Sequence, residues 1–233
     1  MGYNFVWFDI GYTLLYIKRE EPFRTLLAEF GYERSLEEVD RAFHSVAKLF
    51  MREYPGVLGR PFEHYLPWYM GFLCNYLDID GDVFSICVRW KEIWRSFNPL
   101  WHPYPQALPT IKKMISMGLG VGIISNWDLS ARSVLADAGL LDFINPCIIS
   151  SEVGFSKPSK EIFNIALEKA GGDAAKSLYI GDNYYDDALG AASVGMDSLI
   201  INRFGKFGVE ELQGQKLINN VAEVLPFIEK GYK

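Results

Sequence analysis

Five polar residues stand where their side chains could together transfer a phosphoryl group: Asp9, Ser125, Asn126, Lys157 and Asp182. The two aspartates and the Ser–Asn pair each come at the end of an apolar run of strand length. Such runs are typical of strands buried on both faces of a parallel sheet. Parallel strands end at one edge of their sheet, where open α/β folds bind ligands, and the lysine opens a predicted helix on that side. We therefore expect the five side chains to meet in one crevice.

These residue types favour one chemistry. Paired carboxylates repel each other unless a cation lies between them, and short oxygen ligands with room for water suit Mg²⁺. The Ser125 hydroxyl, the Asn126 backbone N–H and the Lys157 ammonium can donate to phosphate oxygens. A nucleophilic carboxylate, a metal and a phosphate cradle together indicate phosphoryl transfer through an acyl phosphate on Asp9.

The elements that would position these residues alternate between helix and strand from about residue 107 onward. Strands separated by single helices imply right-handed crossovers and a parallel sheet with helices on both faces, so the predicted class is α/β with a Rossmann-like core. Residues 198–201 are predicted to be the last strand, and the proline-rich stretch 99–105 a connection without secondary structure.

The segment between about residues 20 and 97 lacks strand-like runs and predicts several helices. Ser35, followed by Glu37 and Glu38, is a typical helix start. The segment is rich in aromatic residues at helical spacing, which we interpret as the core of a helical bundle. The stripe consists of Trp68, Tyr69, Phe72, Tyr76, Trp90 and Trp94.

The bulk composition of the 233 residues narrows the functional classes. A hydrophobic content of 49% and a charged content of 22% are ordinary for a globular protein. The formal charge of -6 argues against a nucleic-acid partner. Three scattered cysteines suggest neither a zinc site nor a disulfide framework. Without a leader or a membrane-length apolar run, we expect a cytoplasmic monomer or homodimer that acts on a small phosphorylated metabolite and not on a membrane.

Taken together, four short motifs resemble those of the haloacid dehalogenase (HAD) superfamily, in the subgroup with an inserted α-helical cap. They occur in the order that the family shows, each at a predicted strand end or helix start. The resemblance covers nearly the whole chain and implies a core of residues 1–15 and 99–233 with a cap of residues 16–98. The motifs are Phe8-Asp9 through Thr13-Leu14, Ile124-Ser125-Asn126, Ser156-Lys157-Pro158 with Glu161-Ile162-Phe163, and Ile180-Gly181-Asp182-Asn183 with Asp187 and Gly190-Ala191.

The resemblance also implies roles for individual residues. Asp9 would be the nucleophile, and Asp9, Asp182 and the backbone carbonyl of Gly11 would hold Mg²⁺. Lys157 would brace both the nucleophile and the phosphate. Further residues would support the metal or hold the loops from behind: Asp187 or its neighbour Asp186, together with Thr13 and Asn183.

One position departs from the phosphatases of this family. They carry a second aspartate two residues after the nucleophile as general acid and base, and here that position is Gly11. The backbone carbonyl survives this change, but the proton shuttle does not, and loss of general acid–base catalysis lowers rates by ~10²–10⁴-fold. Tyr12, Asp128 and His64 are candidate substitutes. Restoring the carboxylate with Gly11→Asp is expected to raise activity unless the backbone demands glycine or Tyr12 fills the space.

Three functions therefore remain open. The first is a Mg²⁺-dependent phosphohydrolase, slow or with a substitute shuttle. The second is hydrolysis of another bond, as in the family's dehalogenases, which typically lack the carboxylate that here is Asp182, or its phosphonate hydrolases, which use a cap lysine. Lys48 and Lys91 are available for that role, although nothing in the sequence indicates that either is buried. The third is a binding protein that keeps the phosphate and metal site without turnover.

Overall fold

The computed structural model describes residues 2–97 and 100–230, apart from the side chains of residues 97 and 230. The chain divides into two compact units. The first combines Met1–Tyr16 with Trp101–Lys233, and the second is the continuous stretch Ile17–Leu100. None of the helices in the described ranges is long and apolar enough to cross a membrane.

The second unit consists of helices α1 (Glu20–Glu29), α2 (Leu36–Glu53), α3 (Phe62–Tyr76) and α4 (Val83–Phe97). Helix α2 begins with a capping box: the Ser35 hydroxyl accepts from the Glu38 N–H, and the Glu38 carboxylate accepts from the Ser35 N–H at 2.7 Å. This reciprocal pairing satisfies backbone donors that have no partner within the helix. Apolar side chains from all four helices pack into one core.

The aromatic stripe of this unit is only partly the core that the sequence predicts. Tyr69 and Trp90 are buried, but Trp68, Phe72 and Tyr76 are exposed to 60%, 36% and 39%. These three lie four residues apart on α3, so they share one helix face, and that face points away from the core. The burial of Lys48 on α2 was also not predicted, since only 6% of the residue is exposed.

The first unit is built on a parallel sheet. Its strands are β1 (Phe5–Phe8), β4 (Gly120–Ser125), β5 (Cys147–Ile149), β6 (Ser177–Gly181), β7 (Asp197–Ile201) and β8 (Leu217–Ile218), after the short strands β2 (Leu15–Ile17) and β3 (Trp101–Pro103). The strand order in the large sheet is β5-β4-β1-β6-β7-β8. Strand β1 is therefore central, between β4 and β6, and the predicted α/β class is confirmed.

Two short strands correct the sequence interpretation. Residues 101–103 are not a plain connection, because they form β3, which pairs with β2 in a separate two-stranded sheet. A proline is tolerated at such an edge. Strand β7 is not the last strand, because β8 follows it and pairs with it in parallel. Strands of two or three residues are too short to produce an alternating pattern.

Helices cover both faces of the large sheet. They are α5 (Ala107–Ser116), α6 (Ala131–Asp137), α7 (Ser150–Val153), α8 (Lys160–Ala170), α9 (Leu189–Ser193) and α10 (Leu225–Lys230), with a π-helical turn at Tyr184–Ala188. Alternate residues of β1 enter different apolar clusters: Val6 and Phe8 join one, and Trp7 joins the other. The alternation follows from the two-residue period of a strand and gives the sheet a buried layer on each side.

Candidate active site

Three central strands deliver polar residues to one edge of the sheet. Asp9 follows β1, Ser125 ends β4, and Asp182 follows β6. The Asp9 N–H donates to the carbonyl of Ile180 at 2.9 Å, so the backbone of Asp9 is still held by the neighbouring strand. The Asp9 side chain keeps 14% of its surface exposed and is therefore open to a ligand.

Lys157 organises the buried side of this edge. Its Nζ donates to Asp9 Oδ1 at 2.8 Å, to Asp187 Oδ1 at 2.6 Å and to the Tyr179 hydroxyl at 2.9 Å. An ammonium group has three protons, so each of them has a partner. The Ser125 hydroxyl donates to the same Asp9 oxygen at 2.8 Å. One carboxylate oxygen of Asp9 is thus fixed by two donors, and its Oδ2 accepts no hydrogen bond from the described residues.

The charges around Lys157 determine its protonation state. Burial alone would lower the pKa of the ammonium, but the adjacent carboxylates of Asp187 and Asp9 outweigh burial and raise this pKa well above its usual value. For the Tyr179 hydroxyl, whose charged form is an anion, burial has the opposite effect and raises the pKa well above its usual value. Lys157 is therefore a permanent cation at neutral pH and Tyr179 a neutral hydroxyl, so neither is a proton shuttle.

Asp187 is locked in place from both sides. Its Oδ2 accepts from the Asn183 N–H at 2.9 Å, while its Oδ1 accepts from Lys157. The carboxylate approaches the backbone of Gly181 so closely that a Cβ there would lie 2.0 Å from Oδ2. Only glycine fits at that position, which explains why it precedes Asp182 at the end of β6.

The carboxylates of this edge form a set that suits a divalent cation. Oxygens of Asp9, Asp182 and Asp187 lie within 4.8 Å of one another. Burial, opposed by Lys157 and reinforced by Asp9 and Asp182, raises the pKa of Asp186 to about 6 and that of Asp187 to about 7. These shifts show how unfavourable the accumulated negative charge is in a buried place. Carboxylate oxygens are hard donors of the kind that Mg²⁺ prefers. Both Asp187 oxygens also accept from nitrogen donors.

The predicted supporting residues occupy the surrounding loops. The Asn126 side chain accepts from the Lys157 N–H at 2.7 Å and donates to the Lys157 carbonyl at 2.9 Å, which joins the loops after β4 and β5. The Asn183 amide donates to Asp186 Oδ2 at 2.9 Å. Thr13 is buried, but its hydroxyl makes no hydrogen bond to any described residue, so it does not hold the loop through that group.

The surroundings of Gly11 contradict one of the two explanations that the sequence offered, namely that the backbone demands glycine. Its backbone does not adopt the left-handed conformation that would demand glycine. Tyr12 adopts it instead, with a φ of 53°. A Cβ on Gly11 would contact Trp101 Cη2 and Trp127 Cζ3, both at 3.4 Å, so two indole rings line this position and a methyl group fits beside them.

The candidate substitutes for the missing proton shuttle have other surroundings. Asp128 is exposed, and its Oδ1 accepts from the Ser130 N–H and hydroxyl in a surface turn. The Tyr12 ring packs edge-on against Trp101, with centroids 5.6 Å apart. His64 is an exposed residue of α3 in the other unit. None of these observations marks a buried acid or base.

Sequence reasoning missed Tyr179, Trp101 and Trp127. Tyr179 lies inside an otherwise aliphatic buried strand, and a buried phenol needs a hydrogen-bond partner, so its position three residues before Asp182 was a usable signal. The Tyr179 hydroxyl also donates to the carbonyl of Ile124 at 2.7 Å. Trp101 comes from strand β3 and Trp127 from the loop after β4, and no spacing in the sequence links them to Gly11.

Comparison with known proteins agrees with this geometry. A family model described as haloacid dehalogenase-like hydrolase matches residues 13–195, a stretch that includes Ser125, Lys157 and Asp182. The chain is 31% identical over 206 residues to haloacid dehalogenase-like hydrolase domain-containing protein 3 of Danio rerio, covering 86% of this chain and 85% of that protein. It is 36% identical over 102 residues to the pyrimidine 5′-nucleotidase of Escherichia coli (strain K12), covering 43% and 45%.

A solved structure extends the likeness to the whole fold. The crystal structure of a HAD phosphatase from Thermococcus onnurineus superposes with a TM-score of 0.58 at 25% identity, covering 96% of this chain and 97% of that one. The matched family model spans more than half of the chain, and the relative from Danio rerio aligns along most of both sequences. With its acidic strand ends braced by a buried lysine, the chain belongs to the haloacid dehalogenase-like hydrolase family.

Proposed function

We propose that this chain is a Mg²⁺-dependent phosphohydrolase that acts on a small phosphorylated metabolite through an aspartyl phosphate on Asp9. The observation that carries the proposal is the asymmetry of the Asp9 carboxylate. Ser125 and Lys157 hold Oδ1, whereas Oδ2 is not engaged by described residues. A carboxylate held by one oxygen and open at the other is oriented for nucleophilic attack. Relatives named as phosphatases or nucleotidases support the same chemistry.

The residues around Asp9 would divide the work of phosphoryl transfer. Asp9 Oδ2 attacks phosphorus, and the leaving oxygen departs on the opposite side. The Asn126 N–H would donate to the phosphoryl oxygens as negative charge develops there. The Lys157 ammonium and the Ser125 hydroxyl would do the same by sharing with the phosphate the protons that they now give to Asp9 Oδ1. Water then cleaves the aspartyl phosphate and restores the carboxylate.

Asp9, Asp182 and the backbone carbonyl of Gly11 are the groups that would hold Mg²⁺. When bound, the ion supplies positive charge that neutralises the phosphate and keeps the carboxylate cluster compatible with an anionic ligand. Asp187 orients Lys157, and Asn183 orients Asp186, without needing to contact the ion. Lys157 supplies one positive charge to several carboxylates. A divalent ion would neutralise the negative charge that the lysine leaves uncompensated.

A phosphate-release panel tests the proposal. Purified protein is assayed with sugar phosphates, nucleoside monophosphates and an aryl phosphate, in Mg²⁺ and in excess EDTA, beside Asp9→Asn. We expect release that requires Mg²⁺ and falls by at least about 10³-fold in Asp9→Asn, because removal of a nucleophile has effects of this size or larger. Halide release from haloacids without metal would favour a dehalogenase. Phosphate binding without turnover of any ester would favour a binding protein.

The metal assignment has its own test. Asp182→Asn removes one carboxylate from the cluster at nearly constant volume, and we expect Mg²⁺ affinity by calorimetry to fall by about tenfold, equivalent to about 1.4 kcal/mol. Asp137→Asn, which changes an exposed aspartate of α6, is the matched control and should bind Mg²⁺ normally. Equal affinity in the two variants would place the metal elsewhere.

A further inference from the structure

Two tryptophans stand beside the nucleophile loop where a side chain at position 11 would lie. We call Trp101 and Trp127 the aromatic wall. Trp101 Cη2 and Trp127 Cζ3 are each 3.4 Å from the position of a Cβ on Gly11, and the two rings have centroids 4.8 Å apart. Gly11 itself is two residues from Asp9, so the wall adjoins the nucleophile loop.

The absence of a side chain at Gly11 is not explained by the backbone. Its φ lies outside the left-handed region, and a Cβ would make only ordinary van der Waals contacts. Its nearest neighbours outside the adjoining residues of the loop would be the two indole rings. The position that carries a carboxylate in the family's phosphatases is therefore bordered here by apolar rings and has no polar side chain of its own.

The aromatic wall is held rigidly. The Trp127 N–H donates to the Ser150 hydroxyl at 3.1 Å, and its indole Nε1–H donates to the Ser130 hydroxyl at 3.0 Å. The preceding residue, Asn126, is paired with the backbone of Lys157. Because the indole N–H of Trp127 is already used, this ring offers a ligand only its hydrocarbon surface. Both tryptophans are half-buried, so each keeps part of its surface accessible.

A wall of this kind changes which leaving group suits the site. An alkoxide leaves readily only if an acid protonates it, and lack of that acid lowers the rate by ~10²–10⁴-fold. A phenolate or an enolate spreads its charge by resonance and leaves with little protonation. Planar conjugated groups also pack favourably against indole rings. The lack of an acid at position 11 and the presence of the indole surfaces therefore favour the same class of ester.

We propose that the aromatic wall is the leaving-group site and selects phosphate esters of planar, conjugated alcohols, namely phenols or enols. This inference rests on the proposed phosphohydrolase function. Asp9 Oδ2 bonds to phosphorus while the bond from phosphorus to the leaving oxygen breaks, and the electron pair departs on that oxygen as a phenolate or enolate. Water then attacks the aspartyl phosphate, yielding inorganic phosphate, the free carboxylate and a proton taken up by solvent.

Three esters separate the two properties: phenyl, benzyl and cyclohexylmethyl phosphate, each assayed with Mg²⁺. Benzyl phosphate keeps the ring but leaves as an alkoxide, and the cyclohexylmethyl ester lacks the ring as well. We expect kcat/KM to fall by at least about 100-fold from phenyl to benzyl phosphate. We expect a further fall of about two- to tenfold from benzyl to cyclohexylmethyl phosphate, carried by KM because the lost contact is one of binding.

Variants of the wall test whether it carries the ring preference. Trp127→Leu should abolish the difference between the benzyl and cyclohexylmethyl esters, and Trp127→Phe, which keeps a ring, should retain most of it. Leu129→Ala, an exposed change in the same loop, should alter neither. A thermal melt followed by circular dichroism identifies any variant that fails to fold, and Trp101→Leu then provides an independent removal of half of the wall.

Binding of non-hydrolysable analogues gives a readout that does not depend on turnover. By calorimetry, benzylphosphonate should bind about two- to tenfold more tightly than cyclohexylmethylphosphonate, and Trp127→Leu should equalise them. Equal binding by the wild-type protein, or an equal loss for every ester in Trp127→Leu, overturns the assignment of the wall. A benzylphosphonate preference without phosphate release from any ester supports the wall and contradicts the phosphohydrolase. If the protein neither binds an analogue nor releases phosphate from an ester, both the wall assignment and the phosphohydrolase function are contradicted.

Discussion

Two regions of opposite character adjoin the loop that carries Asp9. One is the polar cradle, by which we mean Ser125, Lys157, Tyr179 and Asp187, where charged and hydroxyl groups contact one another and Asp9 at 2.6–3.2 Å. The other is the aromatic wall next to Gly11, whose ring carbons lie 3.4 Å from the position of a Cβ on that glycine.

The two regions are specified by different physics. A buried charge without a partner is costly, so each member of the polar cradle requires the others, and changing one leaves an unpaired group. The aromatic wall depends on shape, and a different arrangement of apolar groups could fill the same space at moderate cost. The polar cradle is therefore constrained in residue type, whereas the aromatic wall is free to vary.

Removing the lysine should break the polar cradle most severely. Lys157→Met keeps much of the side-chain length but leaves Asp9 and Asp187 without their shared cation. We expect the free energy of unfolding in metal-free buffer, measured by urea denaturation, to fall by about 3–5 kcal/mol, the range for a broken buried ion pair. Lys160→Met, three residues away on an exposed position of α8, should change stability little. A similar small change in both variants would mean that the cradle contributes no net stability.

A smaller effect is expected from crowding the cradle without removing a charge. Gly181→Ala places a methyl group where Asp187 Oδ2 now lies, so the carboxylate must shift away from Asn183 or Lys157. We expect a loss of about 1–3 kcal/mol in urea denaturation, as for other overpacked sites. Gly59→Ala is the control, because a Cβ there meets nothing within 4 Å. If the two alanine variants were equally stable, the close approach of Asp187 to Gly181 would be unimportant.

The smallest expected effect comes from deleting one hydroxyl. Tyr179→Phe leaves the ring in place but removes the bonds to Lys157 and to the carbonyl of Ile124. We expect a loss of about 1–2 kcal/mol in urea denaturation, from the net loss of two hydrogen bonds. The control is Tyr3→Phe, because the Tyr3 hydroxyl donates to the exposed Asp197. This variant should lose less free energy of unfolding in the same urea denaturation experiment. A larger loss for Tyr3 would show that burial does not strengthen the hydroxyl's contribution.

Part of the candidate site was predictable, because three of its residues follow directly from strand ends. Asp9, Ser125 and Asp182 each terminate an apolar run, and one strand direction brings such ends together. Tyr179 was missed because it lies within a run and not at its end. The wall was missed because Trp101 belongs to a three-residue strand in a proline-rich stretch, and no periodicity links a residue there to Gly11.

The helical unit shows a different limit of sequence reasoning. Its helices were predicted because their apolar spacing repeats over three or more turns. The exposed aromatic face of α3 was not predicted. Periodicity identifies which residues share a helix face, but it does not identify which face packs against a neighbouring element. The aromatic residues Trp68 and Phe72 satisfy the pattern of a core and yet lie outside it.

The central place of β1 has a consequence for how the protein is made. Strand β1 is synthesised before both of its neighbours, because β4 and β6 are complete only at Ser125 and Gly181. At translation rates of about 5–20 residues per second, β1 waits many seconds for its second partner. Meanwhile the helical unit, whose core comes from one continuous stretch, has all of its parts. Asp9, the proposed nucleophile, thus leaves the ribosome before the residues that hold it, and it reaches its working geometry only after Lys157 has been synthesised.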